Sequence, residues 1–282
     1  MTRSGTDADT HFYIDNAPPE EVSWVLRSLG DDVALTPAQI AQKLVNDFGY
    51  RMQDDKTYSP RRLYDLGLAR MPDDGKRARY IISSQGKKVR EVLLTNPDFY
   101  WDLMHYLHYT LWDRAPSTRK LLWSYRECCK IIRDLRELPP TSVVASGVQN
   151  QMQIDFPGLD YTARRGARFD SSAVGRCYHW IGHLVPAPFD KNKSHQPRIV
   201  DRYELALLAL DHVYRAQCYR YGDPVLLDET LLDQVAAVFF LDLACCRGLL
   251  DVAARLTRVI RLADTFAGTS ITLLEPYNIE RI

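Results

Sequence analysis

The sequence predicts a mainly α protein: an N-terminal winged helix-turn-helix unit, further helical domains, and a stretch patterned like a second helix-turn-helix unit. Three observations predict it. "PPEEVSWVLRSL", "LTPAQIAQKLVNDFG" and "SPRRLYDLGLAR" each place proline at the start of an apolar-periodic run. The third run leaves through Leu-Gly-Leu towards a turn and the β run "RYII". From Asn96 onward, amphipathic helical spacing dominates.

In the first run Val22, Val25, Leu26 and Leu29 share a face, and the Pro-Glu-Glu start suits the positive end of a helix. In the second, Thr36 is the expected N-cap, Pro37 sits in the first turn, and Ile40, Leu44 and Val45 form the stripe. In the third, Ser59 is the expected cap, with Pro60 after it. "PDDGK", from Pro72 to Lys76, is a turn signal. Tyr80, Ile81 and Ile82 make a strand, followed by a Ser/Gly break and the helix "KKVREVLL". Three helices, a Leu-Gly-Leu exit and a hairpin make the winged-helix plan. The connection over residues 47–58 departs from it, being longer than a compact helix-turn-helix uses.

"NPDFYWDLMHYLHYTLWDR" and "TRKLLWSYRECCKIIRDLREL" read as an aromatic and basic helical pair whose stripes, such as Phe99, Leu103, Tyr106 and Leu107, are core. "ELPPTSVVASGVQNQ" is the expected domain boundary. Beyond it, Ser171 or Ser172 can cap a helix through Ile181 that ends near Gly182. This stretch is a second helix-turn-helix-like unit with Arg164, Arg165, Arg168 and Arg176 as its basic side, or a basic surface loop; the sequence leaves both open. Arg202 to Phe266 reads as helical, and "GTSITLLEPY" as a short strand or extended tail. The expected division is 1–95 winged helix, 96–140 helical pair, 141–200 second basic unit with loop, and 201–282 C-terminal helical domain.

Composition bounds the class. With 46% apolar and 26% charged residues, a globular chain of about two domains is expected. No run approaches the roughly 18 apolar residues of a membrane span. The opening "MTRSGTDADT" lacks the apolar core of a secretory leader, so a cytoplasmic location is expected. Cys128, Cys129, Cys177, Cys218, Cys245 and Cys246 show no CxxC spacing and read as reduced thiols buried in helices. The net charge of zero conceals blocks. Residues 56–93 carry 10 basic and 4 acidic side chains, and residues 114–200 carry 14 and 7. Local patches of this kind, rather than net charge, attract phosphates.

The sequence carries few catalytic patterns. GxxxxGK[ST], GxGxxG and GxSxG are absent. His179 and His183 form an HxxxH preceded by Cys177, but "HWIGH" lacks the glutamate of a metalloprotease helix, so a structural pair is expected and no metal. Asp74-Gly-Lys76, with Asp65 upstream, superficially matches a metal-dependent nuclease. Those residues fall on a hairpin tip and a helix rather than on rigid strands. No catalytic residue, enzyme activity or cofactor is therefore expected. The acidic pairs Glu20–Glu21, Asp31–Asp32, Asp54–Asp55 and Asp73–Asp74 read as caps and solvated turns.

The basic residues suit nucleic acid. A recognition helix presents its N-terminal side chains to base edges or phosphates, here Ser59, Arg61, Arg62 and Tyr64. The hairpin and the following helix add Arg70, Lys76, Arg77, Arg79, Lys87 and Lys88. Arg164, Arg165, Arg168 and Arg176 are candidates for a second contact.

The ordered set "YDLGLAR", "RYIISSQGKKV", "NPDFYWDLMHYLHYTLW", "LLWSYREC", "SAVGRCYHWI" and "RYELALLALDHVY" resembles an uncharacterised winged-helix family of bacterial anti-phage islands. It covers about three quarters of the chain, through short motifs; the 47–58 connection and "TSITLLEPYNIERI" depart from it. A weaker resemblance is to the A-type accessory protein of bacteriophage-exclusion systems. The resemblance implies an accessory DNA-binding or adaptor subunit of a phage-defence complex. The expected partners are double-stranded DNA and other subunits of that complex, with no membrane, and a homo-oligomer is left open. The rival expectation is a protein–protein adaptor that docks through the apolar, acidic residues 201–282.

Overall fold

The computed structural model describes residues 12–14, 17–52, 58–72, 78–114, 120–135, 138–161 and 167–282. Among the described residues, the chain is mainly helical with two small sheets. Helix α1 (Pro19–Ser28) buries Val22, Val25 and Leu26, the face its spacing predicts. Helix α2 (Pro37–Phe48) begins on a complete capping box. Thr36 accepts from the Gln39 backbone, and Gln39 reaches back to the Thr36 N–H. Helix α3 (Tyr58–Asp65) packs on α1. Its exit needs Gly67, which sits at φ 74 while the Leu68 N–H donates to the Leu63 carbonyl. That is a left-handed helix stop.

Two short strands follow, β1 (Ala69–Arg70) and β2 (Ile81–Ile82), paired antiparallel with Arg70 opposite Ile81. Tyr80 exchanges both backbone hydrogen bonds with Leu35, so the segment before α2 lies beside this pair. The turn over 73–77 lies outside the described residues.

Helix α4 (Ser84–Thr95) leads into α5 (Pro97–Thr110), which is buried almost all round. Helix α6 (Lys120–Leu135) packs on α5, α7 (Thr141–Asp155) on α6, and α8 (Ser171–Ile181) on both α6 and α7. Helices α9 (Tyr203–Ala216), α10 (Glu229–Ala237) and α11 (Leu243–Leu256) pack together. The second sheet has the order β3 (Pro224–Leu226), β5 (Gly268–Leu273), β4 (Ile260–Thr265), all antiparallel. The Tyr214 hydroxyl ties α9 to β5, donating to the Ile271 carbonyl and accepting from the Leu273 N–H. One cluster of buried apolar side chains extends from Phe12 to Ile279.

Several expectations are corrected. Ser59 lies inside α3 rather than capping it. The segment read as a boundary contains α7, whose Val144, Ala145, Val148 and Met152 face α6 and α8; one apolar stripe outweighs its small polar residues. Helix α8 is capped by Asp170, not by a serine, because the Asp170 carboxylate accepts from the Ala173 N–H. The helical reading of Arg202 to Phe266 breaks twice. Pro224–Leu226 is a strand, and α11 stops at Leu256, with β4 beginning at Ile260. Phe266 and Ala267 turn β4 into β5, so the tail is a hairpin strand. The cysteines are free thiols, but Cys218 is exposed beyond the end of α9.

Candidate nucleic-acid interface

The sequence candidates in the N-terminal unit separate into buried and exposed sets. Ser59 is buried, and its hydroxyl donates to Glu21 Oε1 at 2.5 Å, joining α3 to α1. Arg62 is 0% exposed. Helical spacing explains the correction: Arg62 follows Ser59 by three residues and so shares its inward face, whereas Arg61 points out. The Arg61 side chain is 52% exposed; it lies over the Tyr64 ring and bonds Asp65 at 3.1 Å.

Arg70 and Arg79 are exposed on the two arms of the hairpin, and neither forms an ion pair among the described residues. Lys87 and Lys88 are exposed in the first turn of α4. Each has one loose carboxylate neighbour at 3.7 Å, Asp31 and Glu91 respectively. Pairs of that kind contribute roughly 0–1 kcal/mol and exchange readily. Asp31 is committed mainly to Arg90, whose hydrogen bond holds its carboxyl below the ordinary aspartate range. Lys76 and Arg77 lie outside the described residues.

The second basic block is thinner. Arg164 and Arg165 lie outside the described residues, and Arg168 is exposed. Arg176 is half-buried and donates to the Ile14 carbonyl at 2.6 Å, so it fastens the N-terminal segment to α8 instead of facing solvent.

The HxxxH pair acquires a partner that the sequence does not suggest. Glu20, at the second position of α1, places Oε1 3.2 Å from His179 Nε2 and 3.1 Å from His183 Nε2. No local signal could have found Glu20, because it is 159 residues away from His179. Burial alone would raise the Glu20 carboxyl. A backbone hydrogen bond and both imidazoles outweigh that and hold it below its usual range. Burial lowers His183, against the pull of Glu20. Of the nuclease-like trio, only Asp65 is among the described residues. Asp65 is mostly buried on α3, while Asp74 and Lys76 lie outside the described residues.

Among the described residues, no helix is long and apolar enough to cross a membrane. No family model and no curated protein matches the chain. A solved structure described as SspB is similar in fold over 94% of this chain and 85% of its own, with a TM-score of 0.55 and 12% identity. At that identity the likeness concerns the fold alone.

Proposed function

We propose that the protein binds duplex DNA without catalysing a reaction, through the exposed edge of α3, the β1–β2 hairpin and the start of α4. The observation that carries this is the pair Arg70 and Arg79: two exposed guanidiniums with no carboxylate partner among the described residues, on the arms of one hairpin. In sequence the tip between them adds Lys76 and Arg77. The order α1, the Leu35 segment, α2, α3, β1, β2 is read as a winged helix. In that reading Arg61 flanks the groove with Tyr64 beneath it, and Lys87 and Lys88 exchange weak carboxylate neighbours for phosphates. Ser59, Arg62 and Arg176 drop out of the contact set, because each is committed to the interior or to backbone. Arg168 stays as a candidate second contact. Membership of a phage-defence complex rests on the sequence resemblance alone.

The adaptor reading has one supporting observation, the fully exposed Phe266 at the tip of the β4–β5 hairpin. Fluorescence anisotropy with a random-sequence duplex separates the two. The DNA reading expects binding that Arg70→Ala/Arg79→Ala weakens and Phe266→Ala leaves unchanged. Absence of binding at low salt would leave the adaptor reading.

A further inference from the structure

Glu20, His179 and His183 bring three ligand atoms within 4.8 Å of one another: one carboxylate oxygen and two imidazole nitrogens. The three come from two elements far apart in sequence. Glu20 stands in the first turn of α1, His179 in the last turn of α8, and His183 just beyond it. The chain after α8 tightens, with the Gly182 N–H donating to the Tyr178 carbonyl and the His183 N–H to the Trp180 carbonyl. That turn keeps His183 beside His179, with ring centroids 5.4 Å apart. The His183 ring is also fixed from one side by Trp101 of α5, stacked at 4.2 Å and 24°.

We propose that these three side chains form a binding site for a divalent transition-metal ion of the zinc, cobalt or nickel class, which fastens α1 to the end of α8. The donor set decides the class. Two imidazoles with one carboxylate suit these borderline ions, whereas calcium and magnesium take oxygen ligands. The geometry is close to what such an ion requires. At metal–ligand distances of about 2.0–2.1 Å, tetrahedral ligand atoms stand roughly 3.3 Å apart. The two oxygen–nitrogen separations, 3.2 and 3.1 Å, already match. The two nitrogens lie within 4.8 Å of each other, and rotation of the half-exposed His179 ring can adjust their spacing. The carbonyl end of α8 carries negative dipole character, which favours a cation there. Three protein ligands at a partly exposed position leave the remaining coordination to water. The site is separate from the basic hairpin and does not depend on the DNA reading.

The test uses the full-length protein, stripped with a chelator and dialysed, and titrated with zinc chloride by calorimetry and with cobalt chloride by visible absorption. Cysteine is the competing ligand, so Cys218→Ser is measured beside the wild type. The expected results are one saturable site per chain, a rise in melting temperature with zinc, and cobalt bands without thiolate charge-transfer absorption. His179→Ala and Glu20→Gln should each weaken zinc by about a hundredfold or more, beyond the 10–100-fold typical of outer-shell partners. His179 is exposed enough that its alanine variant should keep the wild-type circular dichroism. Zinc affinity unchanged in His179→Ala, a thiolate band with cobalt, loss of binding in Cys218→Ser, or no saturable binding would each overturn the proposal.

Discussion

At Gly86 a Cβ would stand 2.0 Å from the Leu68 carbonyl oxygen, so the first turn of α4 can lie against the exit of α3 only without a side chain. The neighbouring Ser83 fixes the same approach. Its hydroxyl donates to the Gly67 carbonyl and accepts from the Gly86 N–H, while its own N–H donates to the Leu68 carbonyl. Glycine to alanine inside a helix ordinarily gains up to ~1 kcal/mol. Here the sign reverses: Gly86→Ala should lose about 1–3 kcal/mol, as overpacking does, in urea unfolding. The two adjacent arginines of α3 make a second residue-scale contrast. Arg62→Ala removes a large, fully buried side chain and should cost on the order of 3 kcal/mol. Arg61→Ala should stay within about 0.5 kcal/mol, because Arg61 is half-exposed and solvent screens its ion pair with the mostly buried Asp65. Equal effects in the two variants would contradict the assigned faces. A double variant of both arginines would therefore confuse unfolding with lost binding.

At the scale of elements, α5 is the central post, and it carries two buried histidines. His105 accepts or donates at both ring nitrogens, with the Tyr125 hydroxyl at 2.8 Å and the Val238 carbonyl at 2.7 Å. Burial lowers its pKa to about 3, and His108 falls well below its ordinary value for the same reason. Unfolded histidines protonate near 6.5, so their contribution is full above that pH and is lost as pH falls towards the folded values. Asp102 works in the opposite direction. Burial raises it to about 6 despite Arg198, so its contribution is full below 3.8 and is lost as pH rises through about 6. Two histidines against one carboxyl leave about one proton, so stability should fall by roughly 1.4 kcal/mol per unit from pH 6 to 4.5. His105→Asn should flatten that slope in chemical denaturation measured across the range; an unchanged slope would contradict the assignment.

Elements whose code is local were legible in the sequence. Thr36 as the N-cap of α2, the Leu-Gly-Leu exit and the apolar face of α1 all agree with the structure, which adds the return bond from Gln39. What failed depended on distant partners or on competing local signals. Helix α7 opens on prolines and small polar residues, and its identity comes from packing on α6 and α8. Strand β4 follows α11 after a short break, and only its pairing with β5 marks it as extended. The burial of Arg62 and the meeting of Glu20 with the two histidines are tertiary facts that one sequence does not display.

At the scale of the molecule, charge is sorted more sharply than the net value of zero suggests. Many cations are tied into the interior or to nearby acids. Arg198, fully buried, bonds the Val185, Pro186 and Phe239 carbonyls and lies 2.7 Å from Asp102. Arg133 is tied to Asp233, joining α6 to α10. Arg126 is held by Asp113 and Glu127. Against that background, Arg70 and Arg79 are exposed charges without an ion-pair partner among the described residues, as are Arg255, Arg258 and Arg261 near the β4–β5 hairpin.

The central claim, that this hairpin holds DNA backbone, is tested most directly by the salt dependence of duplex binding. Affinity of the wild type and of Arg70→Ala/Arg79→Ala would be measured by anisotropy across a potassium chloride series. If both arginines neutralise phosphates, log affinity falls linearly with log salt, and the double variant's slope is shallower by about 2. Binding whose slope is the same in both proteins would contradict the claim and move the interface away from the hairpin.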